Sequence, residues 1–142
     1  MLSLLHIENI AVIERSDIEF GRGFHVLTGE TGAGKSIVID AISAILGERA
    51  YRDMIRTGTE KASVRAVFTD VPEFSWFADN GVEYDPETII QREVYLDGKN
   101  VCRVNGTLVT VSILRKLGIQ LINIHILVNG WNLRKTQHIV LK

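Results

Sequence analysis

Gly29-Glu30-Thr31-Gly32-Ala33-Gly34-Lys35-Ser36 fits the pattern G-x-x-x-x-G-K-[ST], a phosphate-binding loop. Glycines let such a loop turn tightly and bring its N–H groups against phosphate oxygens. A helix that opens at the loop points its unpaired amides and positive dipole end at the same anion. Lys35 supplies a mobile ammonium for the β- and γ-phosphates, and Ser36 a hydroxyl ligand for Mg²⁺. Four constrained positions match by chance in roughly one chain of this length in a few hundred. The setting agrees with the motif. Phe24 to Thr28 is a short β-prone run before it, and Lys35 to Leu46 carries Ile37, Ile39, Ala41, Ile42, Ile45 and Leu46 as a buried helix would. Gly47 is a natural C-terminal stop for that helix. The nucleotide implied is ATP or GTP.

Working outward, Leu2 to Ile10 reads as a strand and Ala11 to Phe20 as a second, with Gly21-Arg22-Gly23 as a turn. Downstream, Ser63 to Thr69 has β character, and Pro72 to Pro86 reads as loop with room for one helical turn. Thr88 to Tyr95 and Val101 to Asn105 flank Asp97-Gly98, a strong hairpin signal. Asn105-Gly106 is a second turn, leading to Thr107-Leu108-Val109. Ser112 to Leu117 reads as a short helix stopped by Gly118, and Gln120 to Ile126 as strand-like. One strand–loop–helix unit set among strands is an α/β or α+β layout, and it excludes a bundle or a sandwich.

Composition bounds the rest. A chain of 142 residues, 46% hydrophobic and 23% charged, can bury a real core and is not disordered. Its net charge of −1 does not suggest a strongly basic nucleic-acid module. One cysteine, Cys102, allows neither an internal disulfide nor a cysteine-based zinc site. No apolar run of about 18 residues is present, and the N-terminus lacks the pattern of a signal peptide, so a cytoplasmic location without membrane contact is expected.

Other chemistry is thin. Hydrolysis needs a second acidic Mg²⁺ ligand at the end of an apolar strand. Ala66-Val67-Phe68-Thr69-Asp70 is the one candidate, and Thr69 interrupts it, so Asp70 reads as a solvated strand end. His6, His25, His125 and His138 lack metal-ligand spacing, and Cys102 reads as buried filler. Lys61, Arg65, Arg92, Lys99 and Arg103 are scattered along β segments and read as solvated faces.

The runs around the loop resemble a known family. Leu4-Leu5-His6-Ile7-Glu8-Asn9-Ile10-Ala11, then Gly23-Phe24-His25-Val26-Leu27-Thr28 and the loop, resemble the start of SMC-like ATPases. Val26 to Ala41, Leu46-Gly47-Glu48-Arg49-Ala50, Ile55-Arg56-Thr57-Gly58, Arg92-Glu93, Arg103-Val104-Asn105-Gly106 and Ile124-His125 resemble, in order, the RecN family of bacterial DNA-repair ATPases. The resemblance covers about residues 1–125, leaving 126–142 as a divergent tail. Where the family continues with Gly-Gln, whose glutamine touches Mg²⁺ and the attacking water, this chain has Ile126-Leu127-Val128-Asn129-Gly130-Trp131.

What the resemblance implies is a P-loop NTPase of the ABC/SMC head type, an α/β lobe with mixed and antiparallel strands around one P-loop helix. Such a head is assembled from two chain ends, with the C-terminal half completing it. Two heads sandwich ATP and form a homodimer, coupled to DNA recombination and repair of DNA damage at double-strand breaks. Carried over by position, Gly29, Glu30, Thr31, Gly32, Ala33, Gly34, Lys35, Ser36 and Ile37 would bind ATP, with Ser36 on Mg²⁺. Asn9 falls near the adenine side, and Arg56 in a basic loop near nucleotide and DNA. The acidic Mg²⁺ strand, glutamine loop and signature motif find no residue here, so this stretch alone is expected to be inactive as an ATPase. A self-contained P-loop kinase or GTPase, a transport ATPase fragment and a non-catalytic interaction module are the other readings.

Overall fold

The computed structural model describes residues 1–20 and 32–129, with side chains for 1–20 and 36–124. The expected Gly21–Gly23 turn, the Phe24–Thr28 strand, and the stretch from Gly130 onward lie outside the described residues.

Among the described residues six strands form one sheet in the order β2-β1-β3-β4-β5-β6. They are β1 Leu2–Ile10, β2 Ile13–Glu19, β3 Lys61–Phe68, β4 Thr88–Tyr95, β5 Asn100–Val104 and β6 Thr107–Val109. Every pairing among them is antiparallel. Period-two patterning explains the faces. Along β3, Ala62, Val64, Ala66 and Phe68 are buried, while Lys61, Ser63, Arg65 and Val67 face outward. β1 departs from strict alternation, because its register against β3 shifts between Leu2 and Leu4. That irregularity lets Leu2 and Leu5, three positions apart, both turn inward. Ala11 and Val12 form the turn between β1 and β2 rather than the start of the second strand.

Among the described residues there are three α-helices: α1 Gly32–Ile45, α2 Ser75–Asp79 and α3 Val111–Asn129, of which α1 and α3 lie against the sheet. α1 packs Val38, Ala41, Ile42 and Ile45 into the same core as Leu5, Ile7, Val64 and Ile90. Its end is a Schellman cap: Gly47 has φ +86°, its N–H donates to the Ala44 carbonyl, and the Glu48 N–H donates to the Ser43 carbonyl. Gly47 thus ends the helix as expected.

Gly118 does not. α3 runs through it without a break. The short helix and following strand expected over 112–126 are one helix, with Leu114, Leu117 and Leu121 buried on one face. Gly118 is instead a point of close approach. A Cβ there would stand 2.8 Å from the Leu46 carbonyl carbon and overlap its oxygen. The glycine is spent on helix packing, so its low helix propensity is overridden by tertiary contact.

Candidate nucleotide-binding site

α1 opens inside the phosphate-loop motif. Gly32, Ala33, Gly34 and Lys35 begin the helix, and its first turn carries no acidic residue that would repel an anion. Gly29, Glu30 and Thr31 lie outside the described residues. Ser36 is exposed on α1, and Ile37 is buried. The backbone amides at this end have no helical acceptor and favour negative charge.

Beside α1 lies a cavity of about 380 Å³. Ile10 at the end of β1, Ala11 of the β1–β2 turn, Ile37, Asp40 and Ser43 of α1, and residues between Arg49 and Met54 other than Arg52 line it. One helix face supplies the three α1 residues, because they repeat at i, i+3 and i+6. The Arg49 guanidinium sits 5.1 Å from the Tyr51 ring centre. Burial pushes the Asp40 carboxyl above its ordinary range, and the nearby Asp53 charge pushes it the same way.

Asn9 and Arg56, far apart in sequence, are adjacent here. The Arg56 N–H donates to the Asn9 carbonyl at 2.9 Å, and the Ala11 N–H donates to the Met54 carbonyl at 2.8 Å. Ile10 and Ile55 form a bridge between them. Asn9 has φ +55°, a conformation Asn tolerates better than most residues. Neither Asn9 nor Arg56 lines the cavity; Asn9 precedes the lining residue Ile10, and Arg56 stands two positions past the lining residue Met54.

Arg92 requires a correction. Read as part of a solvated face, it is 2% exposed and points into the core. Its Nη1 donates to the Ala44 carbonyl at 2.8 Å and to the Glu48 carbonyl. The Asn100 side-chain oxygen accepts from Nε at 3.3 Å and from Nη2 at 3.1 Å. The signal was present in the phase of β4: Thr88, Ile90, Arg92 and Val94 share one face. Arg65 and Arg103 do lie on the open face. Asp70 is exposed just past β3, and Cys102 is buried. Among the described residues no group of three or more His, Cys, Asp or Glu could hold a metal ion.

A protein-family model described as an AAA domain matches residues 4–134. The chain belongs to the AAA domain family. Within that family it is 45% identical over 129 residues to the DNA repair protein RecN of Bacillus subtilis (strain 168), covering 88% of this chain and 22% of the relative. Solved structures agree on the fold. The Smc head domain with a coiled coil and joint from Pyrococcus yayanosii superposes with a TM-score of 0.67 at 26% identity, over 82% of this chain and 24% of that one. A structure from work on ATP-driven dimerization and DNA-stimulated activation of SMC ATPases gives 0.65 at 26% identity, over 81% of this chain and 75% of that one. The AAA domain seen here therefore has the α/β fold of an SMC-type head, and spans under a quarter of the length of its RecN relative.

Proposed function

We propose that this chain is the N-terminal, ATP-binding part of a RecN-like ATPase head acting in DNA double-strand-break repair and recombination. The observation that carries this reading is the opening of α1 inside the motif Gly29–Ser36, in a sheet of SMC-head shape. Residues 1–125 make up the head portion, and 126–142 a divergent tail. Gly29, Glu30, Thr31, Gly32, Ala33, Gly34, Lys35, Ser36 and Ile37 bind the nucleotide. The Ser36 hydroxyl is a hard oxygen donor that would hold Mg²⁺, and the ion would neutralise phosphate charge. The cavity between Ile37 and the β1–β2 turn suits the nucleoside end, with Asn9 on the adenine side and Arg56 at its margin.

In the whole protein, this part pairs with a C-terminal half and closes as a head-to-head homodimer around ATP, coupled to DNA. Support for dimerisation and DNA comes from the SMC ATPases that this fold resembles. Among the described residues no helix is long and apolar enough to cross a membrane, and we place the protein in the cytoplasm with the DNA it serves.

Titration with a fluorescent ATP analogue and Mg²⁺ tests the reading. Saturable binding that is abolished by Lys35→Ala is expected. A folded chain that binds no analogue would instead mark a non-catalytic module that keeps the loop as scaffold. Turnover by this chain alone, lost in Lys35→Ala, would show that the hydrolytic groups need not come from elsewhere.

A further inference from the structure

α1 is held on the sheet largely by apolar contact through Val38, Ala41, Ile42 and Ile45. Such contact is non-directional, and Ala41 and Ala44 present a smooth surface. It resists lifting more than it resists sliding or rotation about the helix axis. A directional tie is supplied from below. Arg92 stands on β4, inside the sheet, and its guanidinium reaches the Ala44 carbonyl in the last turn of α1 and the Glu48 carbonyl just past the helix cap. The other edge of the fork is fixed by Asn100 at the start of β5. Asn100 is itself held, its side-chain N–H₂ donating to the Gly98 carbonyl at 3.2 Å. The positive guanidinium also meets the negative end of the helix dipole.

We propose that Arg92, with Asn100, is a positioning residue for the phosphate-binding end of α1, setting the axial and rotational placement of that helix from its opposite end. A helix of 14 residues is about 21 Å long and moves as a rod, so a shift at Ala44 is felt at Ser36. Phosphate-binding amides lose their alignment when moved by a fraction of an ångström to an ångström. The planar fork matters because it makes bonds to two elements at once. A lysine at position 92 would keep the charge but could not span both.

This inference rests on the nucleotide-binding reading, so its test has one arm that does not. Arg92→Lys, Asn100→Ala and a control, Phe77→Leu, are compared in the full chain at a temperature where circular dichroism shows each folded. Phe77 is buried in α2, where its ring packs edge-on against Trp76 and Tyr84. The first arm is amide hydrogen exchange over residues 37–45 without nucleotide, and the second is affinity for the fluorescent ATP analogue with Mg²⁺. Arg92→Lys should speed exchange in α1 and weaken binding by about tenfold each, while Phe77→Leu leaves both within about twofold. Should Arg92→Lys not fold, Asn100→Ala serves, keeping both carbonyl bonds and freeing the other edge of the fork, with the same directions and smaller size. Unchanged α1 exchange in the folded variants overturns the inference, as does an equal loss of affinity in Phe77→Leu. Failure of the unsubstituted chain to bind the analogue would count against the nucleotide reading, and α1 exchange would then decide the tie on its own.

Discussion

Gly118 of α3 lies directly on the Leu46 carbonyl, with no room for a side chain between the two helices. The contact is mutual, since a Cβ at Gly47 would come within 2.8 Å of the Arg115 Cβ and closer still to its backbone. Backbone cannot give way as a flexible side chain can. Gly118→Ala should therefore destabilise the chain by about 2–4 kcal/mol, against the small gain that alanine brings to an ordinary helix site. Urea unfolding checks this, and a stabilised variant would show that α3 can shift without cost.

His6 bridges two carboxylates, with Nδ1 2.5 Å from Asp17 and Nε2 2.9 Å from Glu8. The hydrogen bond to Asp17, then that to Glu8, raises its pKa above the ordinary 6.5. A raised histidine stabilises the fold fully below pH 6.5 and loses that contribution as pH rises through its folded value. Glu8 is lowered chiefly by the same bond to His6, so its share is present above 4.5 and is lost as pH falls through its folded value. His6→Gln should cost most between these limits and little in alkaline solution. Asp17 is open to solvent, so the loss should stay below about 1 kcal/mol. Thermal midpoints across pH 4–9 measure it.

Asp40 should slope the same way as His6 and opposite to Glu8. Its carboxyl is raised by burial and by Asp53, so its ionisation disfavours the folded state as pH climbs past the ordinary carboxylate range. Asp40→Asn should therefore be neutral in acid and slightly stabilising at neutral pH, a small effect because the residue is exposed and solvent screens its charge. A variant less stable at pH 7 than the parent would mean that the carboxylate has a partner worth more than its desolvation.

Trp76 ties α2 to α3, its Nε1–H donating to the Ile113 carbonyl at 2.9 Å while the ring packs edge-on against Phe77. Trp76→Phe keeps much of the apolar surface but leaves that carbonyl unpaired. A loss of about 1–3 kcal/mol is expected in chemical unfolding. Trp76→Ala should cost more, because the ring's buried area goes as well.

The elements whose signal is local were legible. The strand expected over Ser63–Thr69 is found two residues earlier at its start, as Lys61–Phe68, and the Thr88–Tyr95 strand, the Asp97-Gly98 and Asn105-Gly106 turns and Gly47 as a helix stop stand where the residues placed them. The phosphate-loop motif was legible for the same reason, since its chemistry is carried by consecutive residues. Arg92 was misread because its charge outweighed its phase, although Ile90 and Val94 on either side placed it inward.

Local pattern is enough where a residue's partner is its near neighbour in the chain. It placed the period of β3 and β4, the turns after β4 and β5, and α1 with its stop at Gly47. It cannot say that Gly118 would pass under Leu46, that Arg92 would cap a helix 48 residues upstream at Ala44, or that Asn9 would meet Arg56. Those depend on which segments share the core. A glycine weak in an isolated helix, or an arginine costly to bury, is favourable only once the opposing backbone is in place to use it.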